Sequence, residues 1–132
     1  MLTRALVADM VNRAEAKASA LGVACSIAVV DEGGNLRAFV RTDDATLGSI
    51  PGARRKAFTA AASGRSTAAF FAMVSENPAM ASILGSGIEG FMFLPGGEPL
   101  RVGERHVGGI GVAGGQGSQD QEIADAGLEA LA

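Results

Sequence analysis

His106 is the only imidazole among the 132 residues, and so the only side chain whose ordinary pKa lies near neutrality. With no second histidine, one copy of the chain can build neither a serine-type triad nor a histidine metal cluster. Four roles remain for His106: general acid–base work, axial ligation of a metal such as haem iron, a site shared between copies, or a structural hydrogen bond. Lys56, Asp120 and Glu89 are the charged residues that could join it in proton transfer. Lys56 follows Arg54 and Arg55, and three consecutive helical residues cannot share a face. Lys56, Thr59 and Ser63 make a polar stripe along an alanine-rich stretch, which could line a pocket or simply face solvent. The five methionines offer further soft donors, although most read as core filler.

A second group of residues could bind through the backbone. Gly114, Gly115 and Gly117 precede Ser118, which is placed to cap a helix beginning at Gln119, with Gln121 as its capping-box partner. Exposed amides at a helix N-terminus attract anions, so a carboxylate pocket and a plain capped helix are both open readings. Asp120 and Glu122 suit the helix dipole there but would repel an anion placed beside them. Gly109-x-Gly111-x-x-Gly114 matches the dinucleotide fingerprint only literally, because no βαβ unit surrounds it. No glycine loop ends in the Lys-Ser/Thr of a P-loop.

The elements that must position these residues follow from periodicity and turn chemistry. Leu2, Leu6, Met10, Ala14, Ala18 and Leu21 repeat on one helical face, with Thr3 as N-cap and Gly22 as stop. Residues 23–30 form a β-rich run, Glu32-Gly33-Gly34-Asn35 a hairpin turn, and Leu36 to Arg41 the returning strand. Ser49-Ile-Pro51 opens a second helix that breaks near Gly64. Thr67–Ser75 is a shorter helix, and a further turn starts at Pro78. Three strands are expected at roughly 88–94, 98–102 and 105–112, with His106 on the same face as Gly108, Ile110 and Val112 by alternation. A helix from about Gln119 to Leu131 closes the chain. The order α-β-β-α-α-β-β-β-α, with two hairpins, predicts a single α+β domain over 1–132 with a five-stranded antiparallel sheet.

Bulk composition narrows the function classes. The formal net charge is −3 and the largest basic cluster is Arg54-Arg55-Lys56, which argues against nucleic-acid binding. No apolar run approaches the length of a membrane span, and no secretion signal is visible. Cys25 is alone, cannot form an internal disulfide, and reads as a buried inert thiol in a reducing cytoplasm. A third of the residues are Gly (19) or Ala (25), while Trp and Tyr are absent. Such a chain suits close backbone approach to itself, to a ligand or to a second subunit.

Three stretches together resemble the GlcG/HbpS family of small haem-binding or haem-degrading-type proteins, which also includes the C-terminal domain of PduO-type proteins. They are Val29-Val-Asp31-Glu-Gly-Gly34-Asn-Leu36-Arg-Ala-Phe39-Val-Arg41, Lys56-Ala-Phe-Thr59-Ala-Ala, and Phe93-Leu-Pro95-Gly-Gly97-Glu-Pro99-Leu followed by Val107-Gly-Gly-Ile-Gly-Val-Ala-Gly114-Gly and Asp120. The resemblance implies a profilin-like α/β/α layered fold with five strands, and homo-oligomers that are often octamers. It carries Lys56, Thr59, Pro95, Gly96, Gly97, Gly114, Gly115 and Asp120 over as pocket-lining candidates. Two positions depart from the pattern: Ala113 stands where a serine is common, and His106 where an aliphatic residue is usual. The expected function is binding of haem or another carboxylate-bearing ligand between the Lys56 helix and the 95–97 and 114–117 loops, with Lys56 meeting a carboxylate and His106 as first-choice metal ligand. The alternative is a catabolic enzyme using His106, Lys56, Asp120 or Glu89 at a subunit interface.

Overall fold

In the computed structural model, residues 1–80, 82 and 89–132 are described. Helix α1 (Arg4–Leu21) starts where the Thr3 hydroxyl accepts the Leu6 amide (3.1 Å) and stops at Gly22 in the left-handed region. Strands β1 (Ser26–Asp31) and β2 (Leu36–Arg41) form the expected hairpin. Its turn is fastened by one Asp31 carboxylate oxygen, which accepts the amides of Gly33 and Asn35. Helix α2 (Ser49–Ser63) carries Pro51 in its first turn and ends at Gly64; α3 (Thr67–Glu76) is capped by the Ser66 hydroxyl. Residues 78–80 and 82 are also helical. Strands β3 (Gly97–Val102) and β4 (Arg105–Ala113) form the second hairpin, and α4 (Gly117–Leu128) with a 3-10 turn at Glu129–Leu131 completes the chain.

The sheet is antiparallel throughout, in the order β2-β1-β4-β3. Helices α1 and α4 cover one face with the larger side chains, among them Met10, Ile27, Ile110 and Ile123. Helix α2 covers the other face through Ala53, Ala57 and Ala61. The α+β architecture is therefore as expected, with helices on both faces of the sheet.

Three expectations need correction. Among the described residues the sheet has four strands, not five. The expected strand at 88–94 begins at residue 88, outside the described residues, and 89–94 form a turn and irregular backbone. There the Met92 amide bonds the Thr59 hydroxyl (2.9 Å), and Phe91 and Phe93 pack with Phe58 and Phe70. Side-chain burial and a side-chain acceptor replace the ladder that β propensity alone suggests.

The second correction concerns the last helix. It begins at Gly117 with Gln116, not Ser118, as its N-cap, and the Gln119 side chain accepts the Gln116 amide (2.9 Å). The third concerns His106. Leu100 pairs with Gly108 and Arg101 with His106, leaving Val107 without a partner. This irregularity breaks the alternation, so His106 faces α2 together with Gly109 and Gly111, whereas Ile110 and Val112 face the other way.

Candidate functional site

Lys56 lies on the buried side of α2, and Asp120 lies in the first turn of α4, 64 positions later. The Lys56 ammonium donates to an Asp120 carboxylate oxygen (3.1 Å) and to the Val112 carbonyl (2.8 Å). The second Asp120 oxygen accepts the Gly115 amide (2.9 Å). Both residues are nearly sealed from solvent, at 3% and 2% exposure. Burial pushes the Asp120 carboxyl above its ordinary pKa, while Lys56 and the Gly115 amide pull the other way. Breaking such a pair from one side strands a buried charge, so each residue depends on the other.

This pair forms the floor of an open cleft of about 330 Å³. One wall is α2 at Ser49 and Gly52, a second is Met92, Leu94 and Pro95, and the third is Ala113 to Gly117. The cleft combines an apolar side with backbone amides at the start of α4. Among the expected site residues, Lys56, Pro95, Gly114, Gly115 and Asp120 meet here.

The other expected residues stand apart from the cleft lining. Thr59 is buried, donating to the Arg55 carbonyl (2.7 Å) while accepting the Met92 amide, and so ties the 92–95 wall to α2. Gly96 donates to the Gln121 side chain (3.1 Å) and Gly97 to the Thr67 hydroxyl (2.9 Å), which holds the entry to β3 in place. Glu89 is exposed and lines a different cleft with Arg54, Arg55 and Phe58. His106 sits five residues along α2 from Lys56, about 7.5 Å of helical rise, with its Nε2 2.7 Å from the Ala61 carbonyl. A carbonyl only accepts, so the proton in that contact is on Nε2. The other ring nitrogen, Nδ1, is buried without a hydrogen-bond partner.

Sequence alone singles out neither Met92 in the cleft wall nor the bridging role of Gln121 outside the lining. Met92 places a thioether in the wall, and nothing distinguishes it beforehand from the other four methionines. Gln121, expected as a capping partner, instead bridges the Gly96 amide to Glu98 and Asp125 (2.7 and 2.9 Å). The pairing of Lys56 with Asp120 carries no local signal, because neither periodicity nor a motif links the two positions. Among the described residues, no group of three or more His, Cys, Asp or Glu is placed to hold a metal ion, and no helix is long and apolar enough to cross a membrane.

Comparison with known proteins gives a consistent result. A family model described as "Haem degrading protein HbpS-like" matches residues 2–129. The structure of HbpS from Streptomyces reticuli, as a double mutant, is 34% identical with a TM-score of 0.88, over 99% of this chain and 87% of that one. A PduOC–haem complex is 27% identical with a TM-score of 0.91, over 98% and 94%. A curated relative, a 15.0 kDa protein of the dhaT-dhaS intergenic region of Citrobacter freundii, is 29% identical over 97% of this chain and 90% of its own length. With nearly the whole chain matched by the family model and the same fold in its relatives, this protein belongs to the HbpS-like family.

Proposed function

We propose that this chain binds a planar, carboxylate-bearing ligand in the glycine-lined cleft, with haem as the most specific candidate. The observation that carries the reading is the division of that cleft. Met92, Leu94, Pro95 and Ala113 supply an apolar wall, and Lys56 with the start of α4 at Gly117 supplies the polar edge. Two of the three Lys56 ammonium protons go to Asp120 and Val112, and in this reading the third would meet a ligand oxygen at the cleft floor. Haem has the same division into an apolar macrocycle and a carboxylate edge, so the residues present fit the group. The family description and a haem complex of a 27% identical relative support the choice.

In this reading the apolar wall would shield the macrocycle from water, while Lys56 and the start of α4 would orient the carboxylates. Haem, when bound, supplies an iron centre with open redox and ligand chemistry. Met92 would be the soft donor within the cleft, whereas His106 lies outside the cleft lining, held to the Ala61 carbonyl. The proposal includes a homo-oligomer, up to the octamer that the resemblance implies, in a reducing cytoplasm. Leu94 and Leu47, 50% and 74% exposed, stand in or next to the cleft lining, where a neighbouring copy would cover them. An acid–base enzyme built on His106, Lys56, Asp120 and Glu89 is less favoured, because these groups occupy three separate places in one copy.

Titration of haemin into the apo protein, followed at the Soret band, tests the reading. A saturable band that shifts in Met92→Leu and persists in His106→Ala supports it. A band lost only in His106→Ala moves the iron to His106, and the absence of a saturable band sinks haem binding.

A further inference from the structure

A second cleft, of about 380 Å³, lies on the other side of α2. Pro51, Arg54, Arg55 and Phe58 line it at helical spacing, while Gly52 and Lys56 line the glycine-rich cleft. The Arg-Arg-Lys triplet is thereby split, with two guanidinium groups turned to one site and the ammonium to another. We propose that this second cleft binds a small aromatic monocarboxylate.

Several independent features build the site. Among the described residues, neither Arg54 nor Arg55 has a carboxylate within ion-pair distance, so both charges are uncommitted. A guanidinium fork matches a carboxylate in two parallel hydrogen bonds and also stacks on aromatic faces. Phe58 supplies a flat wall, fixed by an edge-on contact with Phe91 (6.0 Å between centroids, 68° between planes). Gly34 lies against that ring: a Cβ there would sit 3.0 Å from Phe58 Cδ1, and its φ of 80° disfavours any side chain. The remaining apolar wall comes from an irregularity in the β1–β2 hairpin. Val29 pairs with Ala38 and Val30 with Leu36, leaving Arg37 unpaired; Arg37 reaches the Leu2 carbonyl (3.0 Å), while Leu36 lines the cleft at 47% exposure. Irregularities of this kind commonly re-aim a side chain beside a functional site.

Glu89 sets the charge of the ligand. It lines the same cleft, so two arginines and one glutamate leave 2 − 1 = +1 there, in a chain whose formal net charge is −3. One carboxylate is matched by the arginines, and a second would meet Glu89. The site therefore selects a monoanion with a flat apolar body over a dianion or a neutral amide.

Naphthoate, naphthamide and naphthalene dicarboxylate, each titrated into the full chain by calorimetry, test the proposal. Naphthoate is expected to bind one per chain with Kd of about 1 mM or tighter. The amide, the dicarboxylate and the Arg54→Gln/Arg55→Gln double variant should each weaken binding about tenfold. Glu89→Gln should recover the dicarboxylate, and Gly117→Leu, in the other cleft, should leave naphthoate binding unchanged. Absence of naphthoate binding to the folded protein overturns the proposal, as does binding that the double variant leaves intact.

Discussion

The two faces of the sheet are built on opposite principles. Beneath α1 and α4, Met10, Ile27, Val29, Leu100, Ile110, Val112 and Ile123 interdigitate, and the contact is side chain on side chain. Beneath α2, the sheet offers Gly109 and Gly111, and the helix offers Ala53, Ala57 and Ala61. A Cβ on Gly111 would overlap the Ala53 carbonyl oxygen, and one on Gly109 the Ala57 carbonyl oxygen. The contact there is backbone on backbone. A side-chain interface can absorb a small change by shifting rotamers; a backbone interface has nothing to shift. The rigid face is also the one on which both clefts are built, since α2 supplies a wall to each.

The largest effect is expected from the charged anchor on the α2 side. Lys56→Met leaves Asp120 buried and unpaired, and should cost about 3–5 kcal/mol in urea unfolding. Because protonation relieves a lone buried carboxylate, that loss should shrink as the pH is lowered. Next comes a one-carbon comparison between the faces. Gly111→Ala adds one carbon to the backbone contact and should cost about 3 kcal/mol. Ile110→Val, its neighbour on the other face, removes one carbon and should cost about 1 kcal/mol. Equal costs would erase the distinction between the faces.

The last effect, negligible for stability at neutral pH, concerns Cys25, which packs in the side-chain face and is pushed from 9.0 to about 11, first by burial and then by the charges of Asp120 and Glu15. Its folded pKa lies above the unfolded one, so the associated stability is complete below about pH 9 and is lost as the pH rises through about 11. At pH 8 the native thiol should carry about 100-fold less thiolate than an unperturbed one, measurable as slow alkylation.

The sequence made some of this legible and not the rest, for identifiable reasons. Thr3 with Gly22, Pro51 with Gly64, and the Gly33-Gly34 turn are local signals, and the elements they bound appear where expected. The run Phe91 to Leu94 looks like a strand, but aromatic packing and the Thr59 hydroxyl claim it. Simple alternation puts His106 on the wrong face, because a single unpaired residue, Val107, inverts it. In the cleft, Lys56, Pro95, Gly114, Gly115 and Asp120 follow from the family pattern. Their arrangement as a buried ion pair beneath an apolar wall depends on contacts between residues dozens of positions apart, which no local pattern encodes.

Gly117 offers a direct way to close that cleft without disturbing the fold. A Cβ there would make ordinary contact with Pro95 at 3.4–3.6 Å, and the position lies in the first turn of α4. Haemin titration of Gly117→Leu against the wild type therefore tests the central claim most directly. The account predicts unchanged thermal stability with affinity reduced about tenfold or more. An unaltered titration in a folded variant would contradict it.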